Sequence, residues 1–92
     1  MIRTFAHKGL ERFFRFGENA GLNADSLSRL GRMLDRLHAA AEPRDMNLPG
    51  YACHRLKGSR RNTYSVKVSG NWRLTFRFEA GHAHDVNLED YH

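Results

Sequence analysis

The sequence closes on Glu89-Asp90-Tyr91-His92, which sets a carboxylate, a phenol and an imidazole side by side. Imidazole is the side chain best matched to moving protons near neutral pH. Two readings stand for this run: a proton-transfer cluster, or a solvated, frayed tail. A second cluster is His54-Arg55-Leu56-Lys57-Gly58, an imidazole and an ammonium three residues apart with a glycine that lets the backbone turn. It reads either as a site or as a basic surface loop. His82-Ala83-His84 can present two imidazoles on one face of a strand, but no third metal ligand is evident nearby. Cys53, beside His54, is either a thiol nucleophile or apolar filling. His7 is expected at a helix start and His38 on a helix surface.

These groups need elements to hold them. Ile2 to Phe5 predicts a short first strand. Residues 9–16 place Leu10, Phe13 and Phe14 at helical spacing, and Gly17 suits the C-terminal cap. Asn23 or Asp25 can cap a second helix, whose Leu27, Leu30, Leu34 and Leu37 form an apolar stripe widened by Met33 and Ala41. That stripe reads as core, with Arg29, Arg32, Asp35 and Arg36 on the other faces, and Pro43 limits the helix. The period then changes to two. Tyr64, Val66 and Val68 alternate with Ser65 and Lys67, Ser69-Gly70-Asn71 makes a turn, and Trp72, Leu74, Phe76 and Phe78 alternate with Arg73, Thr75 and Arg77. A second turn at Ala80-Gly81 leads to a last strand marked by Val86 and Leu88. The expected architecture is α+β: two N-terminal helices cover the apolar face of a small antiparallel meander, leaving Lys67, Arg73, Thr75 and Arg77 on a polar, open face.

The charge agrees with this layout. The chain has 92 residues, 15 Lys plus Arg against 10 Asp plus Glu, a formal charge of +5 and a pI near 10.0. The surplus is concentrated in residues 54–78, which carry Arg55, Lys57, Arg60, Arg61, Lys67, Arg73 and Arg77 and no acid. Such a block is the footprint of a polyanionic partner, most often nucleic acid. The length predicts one domain over residues 1–92. One cysteine excludes an internal disulfide and fits a reducing, cytosolic setting. No apolar run approaches the roughly 18 residues of a membrane span. No nucleotide-cradling glycine motif or paired-cysteine zinc motif occurs.

Taken together, Ile2-Arg3-Thr4-Phe5, His7-Lys8-Gly9-Leu10, His54-Arg55-Leu56-Lys57-Gly58, Tyr64-Ser65-Val66-Lys67-Val68, Asn71-Trp72-Arg73-Leu74-Thr75-Phe76 and Glu89-Asp90-Tyr91-His92 carry a resemblance. The chain resembles the HigB toxins, the plasmid-maintenance killer branch of the RelE/ParE superfamily, over essentially its whole length. The combination of H-x-L-K-G, N-W-R-[IL]-x-F and a closing D-Y-H is specific, although each piece alone is weak. The resemblance implies a microbial-RNase-like fold with two N-terminal helices on a small curved antiparallel sheet. It implies a metal- and cofactor-free endonuclease that cuts mRNA in the decoding site of the 70S ribosome. It also implies a helix-turn-helix antitoxin of the HigA kind, through which promoter DNA is bound, and no membrane partner.

By the same resemblance, His54, Asp90, Tyr91 and His92 form the acid–base set, Lys57 and Arg73 stabilise the phosphate, and Asn71 helps hold the message. Arg55, Arg60, Arg61, Lys67 and Arg77 are assigned to ribosomal RNA. The base is His92 or Asp90 and the acid His54 or Tyr91; the sequence does not settle the pairing. This chain departs from the family in having Tyr64 where many members have tryptophan, and in lacking the aspartate that often follows the Lys-Gly pair. A gyrase inhibitor of the ParE kind and a non-catalytic RNA-binding module are the alternatives on the same scaffold.

Overall fold

A computed structural model describes residues 1–60 and 62–90 of the chain. Helix α1 spans Lys8–Phe16. His7 starts it, as expected, by accepting the Leu10 backbone N–H on its Nδ1 at 3.0 Å. Gly17 ends it in the left-handed region, at φ 74°, where a side chain would be strained. Glu11 and Arg15 pair along its outer face at 3.0 Å, in the favourable acid-before-base order.

Asn23 caps a 3₁₀ turn, Ala24–Ser26, and that turn feeds directly into helix α2, Leu27–Ala39. The cap is therefore one short element removed from the helix it was expected to begin. Leu30, Met33, Leu34 and Leu37 are buried, as the stripe requires. Ala41 is exposed instead of widening that stripe, because α2 ends at Ala39 and the next buried alanine is Ala40. Pro43 opens a further 3₁₀ turn, Pro43–Met46, whose Asp45 carboxylate accepts from the Ala41 and Glu42 backbones.

The sheet is an antiparallel meander in the order β1 (His54–Arg55), β2 (Thr63–Ser69), β3 (Trp72–Glu79), β4 (His82–Asp90). The expected strand at Ile2–Phe5 is not one. Ile2 and Phe5 make two isolated parallel bridges, to Ala83 and Val86, on the outer edge of β4. Thr4 and Asp85 lie between those contacts, with Asp85 in the left-handed region and its N–H on the Thr4 hydroxyl, so no continuous ladder forms. The segment still covers a sheet edge that would otherwise offer unpaired backbone groups.

Register fixes the faces. Tyr64 lies opposite Phe76, and Val66, Leu74 and Leu88 lie abreast; these point toward the helices. Leu74, Phe76, Val66 and Val86 meet Leu10, Leu30, Met33, Leu34 and Leu37 in the core. Ser65, Thr75 and Asn87 lie abreast on the other face, as do Lys67, Arg73 and Glu89. Thr75 was expected to be open to solvent but is only 2% exposed, and Ser65 is fully buried. Longer side chains on the same face close over this central row.

Candidate active site

His54 belongs to that open face. Its strand pairs with β2 so that His54 lies opposite Ser65, in line with Thr75 and Asn87. The imidazole is exposed, and its Nδ1 lies 3.1 Å from the Ala52 carbonyl oxygen. A carbonyl can only accept, so Nδ1 carries the hydrogen and Nε2 is left as the position for proton exchange.

The carbonyl reaches the ring because Ala52 sits at φ 48°, a conformation alanine rarely adopts. Packing around the turn sustains it. The Lys67 N–H donates to the Tyr51 carbonyl at 2.7 Å. Arg29, from α2, donates to the Gly50 and Lys67 carbonyls at 2.9 and 3.0 Å, with its guanidinium over the Tyr51 ring. The sequence placed Arg29 simply on an outer helix face; its contacts span 21 and 38 residues, beyond any local pattern.

Beyond β1 the chain turns through Gly58, at φ 72°, with nothing near enough to meet a side chain there. The glycine is thus needed for the backbone angle and not for space. A shallow depression of about 360 Å³ opens beside the turn, lined by His54, Arg55, Leu56, Lys57 and Arg60. His54 and Lys57, expected together, do share it. Lys57 is exposed, and Arg73 stands half-buried between Lys67 and Glu89 in the adjacent row.

Glu89 is the acid set among Lys67 and Arg73 at one end of this face. Arg60 grips both its carboxylate oxygens, at 2.9 and 2.6 Å, and the Thr75 hydroxyl donates to Oε2. The Arg60 hydrogen bonds hold the Glu89 carboxyl below its ordinary value against the opposing effect of burial, with Thr75 and the Arg60 charge adding to the lowering.

The remaining expected residues are placed as follows. Asp90 is exposed and pairs with Trp72, so strand alternation puts it on the helix side of the sheet and not beside Arg73. Asn71 is exposed in the β2–β3 turn, one residue before Trp72. Lys67 is exposed on the open face, and Arg55 lies opposite Tyr64. Arg77 is bound by Glu79 at 2.6 Å and by Asp85 at 3.1 Å. Arg61, Tyr91 and His92 lie outside the described residues.

Other candidate chemistry is taken up locally. His82 lies 3.3 Å from an Arg3 nitrogen, and burial, then the Arg3 and N-terminal charges, push its imidazole toward the neutral form. Among the described residues no group of three or more His, Cys, Asp or Glu side chains is gathered to hold a metal ion. The Cys53 thiol is directed to the Pro43 carbonyl, and burial pushes it away from the reactive thiolate. No helix among the described residues is long and apolar enough to cross a membrane.

What remains is an imidazole with one nitrogen fixed, an ammonium in the same depression, and further cations on a solvent-facing sheet. That set can exchange protons next to a bound phosphate. The family described as the RelE-like toxin of the type II toxin-antitoxin system HigB matches residues 3–92. The chain is also 40% identical, over 92 residues and the full length of both proteins, to the Endoribonuclease HigB of Proteus vulgaris. With two helices on a four-stranded antiparallel sheet and a match across nearly its whole length, the chain belongs to the HigB-like family of RelE-like type II toxins.

Proposed function

We propose that this toxin is an endoribonuclease that cuts messenger RNA in the decoding site of the 70S ribosome and so stops translation. The observation that carries the reading is the His54–Lys57 depression on the basic open face, with the His54 Nδ1–H fixed on Ala52. Cleavage begins when a general base removes the proton of a ribose 2′-OH. The 2′ oxygen then attacks the adjacent phosphorus, and the bond to the 5′ oxygen breaks as an acid protonates that leaving oxygen. The products are a 2′,3′-cyclic phosphate and a 5′-OH. Lys57 and Arg73 stabilise the extra negative charge at phosphorus, often the largest contribution in such reactions. His54, on this face, supplies one proton-transfer group and Tyr91 and His92 the other, while Asp90, on the helix side of the sheet, acts through those two neighbours in sequence; each acid or base contributes about 10²–10⁴-fold. The reaction as written runs on side chains alone.

Asn71 steadies the message, while Arg55, Arg60, Arg61, Lys67 and Arg77 bear on RNA of the ribosome or on the folding of this face. The toxin acts in the cytoplasm as one domain of residues 1–92. A small helix-turn-helix antitoxin neutralises it, and promoter DNA is reached through that complex. Primer extension on message from translating extracts tests the reading. It should show new 5′ ends within codons in the presence of the toxin, and none with His54→Ala. Growth arrest with intact message and an SOS response would instead favour a gyrase target.

A further inference from the structure

We propose that Glu89 is a positioning residue that fastens the Lys57–Arg60 turn to the end of β4. In doing so it sets where the Lys57 ammonium stands relative to the sheet. The proposal rests on the reading above that this face acts on RNA.

A carboxylate here is otherwise out of place. It lies abreast of Lys67 and Arg73, on the face whose cations would hold a phosphate backbone, and its charge repels such a ligand. Its contacts supply a local reason. Arg60 binds it through two parallel N–H···O bonds, the geometry in which guanidinium and carboxylate pair most firmly. Thr75 contributes a third bond from β3. Arg60 closes the 3₁₀ turn Gly58–Arg60, immediately after Lys57. Near its start the same loop is tied to β2 by the Leu56 N–H on the Thr63 carbonyl, at 2.8 Å. The loop is therefore anchored near both ends, to β2 before Lys57 and to β4 after it.

The ordinary expectation for an ion pair this exposed is a small effect on stability. Its bidentate form and its third, buried partner Thr75 favour a directional role over a merely stabilising one. Arg60 thereby acquires a second duty: each of its terminal nitrogens donates to Glu89, so it orders the loop whether or not RNA is present.

The test compares the full-length wild type with Glu89→Gln, Arg60→Ala and the double variant, using ribosome-dependent cleavage and backbone hydrogen exchange. Glu89→Gln is expected to lower kcat by about ten- to a hundred-fold, the effect of a small misplacement of a reacting group. KM should stay the same or fall, because a negative charge leaves the RNA-binding face. Arg60→Ala should lose as much in kcat, and the double variant should be no worse than either single change, because both break one contact. Amides of residues 56–60 should exchange faster in both variants while the β2–β3 amides keep their protection.

Unchanged exchange at 56–60, or unchanged or higher kcat in Glu89→Gln, overturns the proposal. If Glu89→Gln does not fold, Arg60→Ala decides by the same two readouts. If the wild type cleaves no message, the functional reading fails on its own, and the exchange measurement still decides whether Glu89 fastens the turn.

Discussion

At the residue scale, the chemistry depends on where single groups point. His54 exposes Nε2 because Nδ1 is committed to the Ala52 carbonyl. His54→Ala should lower single-turnover cleavage by about 10²–10⁴-fold with the fold intact, as circular dichroism would show. Glu89 makes a separate prediction about pH. Its native carboxyl is held below the ordinary 4.5, chiefly by Arg60, so the unfolded chain takes up a proton at higher pH than the folded one does. Its contribution to stability is therefore full above the ordinary value and is lost as pH falls through the lowered native one. In urea unfolding, the difference between wild type and Glu89→Gln should be constant near neutral pH and shrink in acid; a gap that widens in acid would contradict this. His54 and Lys57 were legible in the sequence because they sit three residues apart on one strand and its turn. Glu89 and Arg29 were not, because their partners lie 29, 21 and 38 residues away and no periodicity encodes such a contact.

At the scale of elements, α2 was legible because one face of a helix must be apolar to pack on a sheet. Leu34→Ala, at a fully buried site, should cost about 2–5 kcal/mol in urea unfolding. Gly31 lies inside the same helix, and a methyl there would meet the Phe13 ring at 3.7 Å, an ordinary contact. Gly31→Ala should therefore stabilise the protein by about 0.5–1 kcal/mol, read as a higher urea midpoint. The meander was equally legible, since its alternation agrees with the register at Tyr64–Phe76 and Val66–Leu74. The segment Ile2–Phe5 misled, because apolar β-type residues predict a strand whether or not the partner edge is regular. The irregularity at Asp85, which leaves only bridges, belongs to β4. Alternation likewise put Thr75 on the correct face but could not tell that Arg60 and Glu89 arch over it.

At the scale of the whole molecule, a +5 chain concentrates its surplus in residues 54–78 and uses part of it internally, at Arg60 and Arg77. Fewer cations face a polyanion than the composition implies. Ribosome binding should weaken with salt, and Lys67→Ala should make the log–log slope shallower by about one, as expected for one lost phosphate contact. Unchanged slope would place Lys67 away from RNA. The family and the fold were legible because motifs and alternation run the length of the chain. The pairing of acid with base was not, because spacing along a chain does not fix which groups share a face: Asp90, next to Glu89 in sequence, lies on the opposite side of the sheet from it. The most direct test of the central claim is a primer-extension map of message from translating extracts, made with wild type, His54→Ala and Lys57→Ala. The account predicts toxin-dependent 5′ ends within codons at the ribosomal A site, lost in both variants; intact message with the folded wild type present would contradict it.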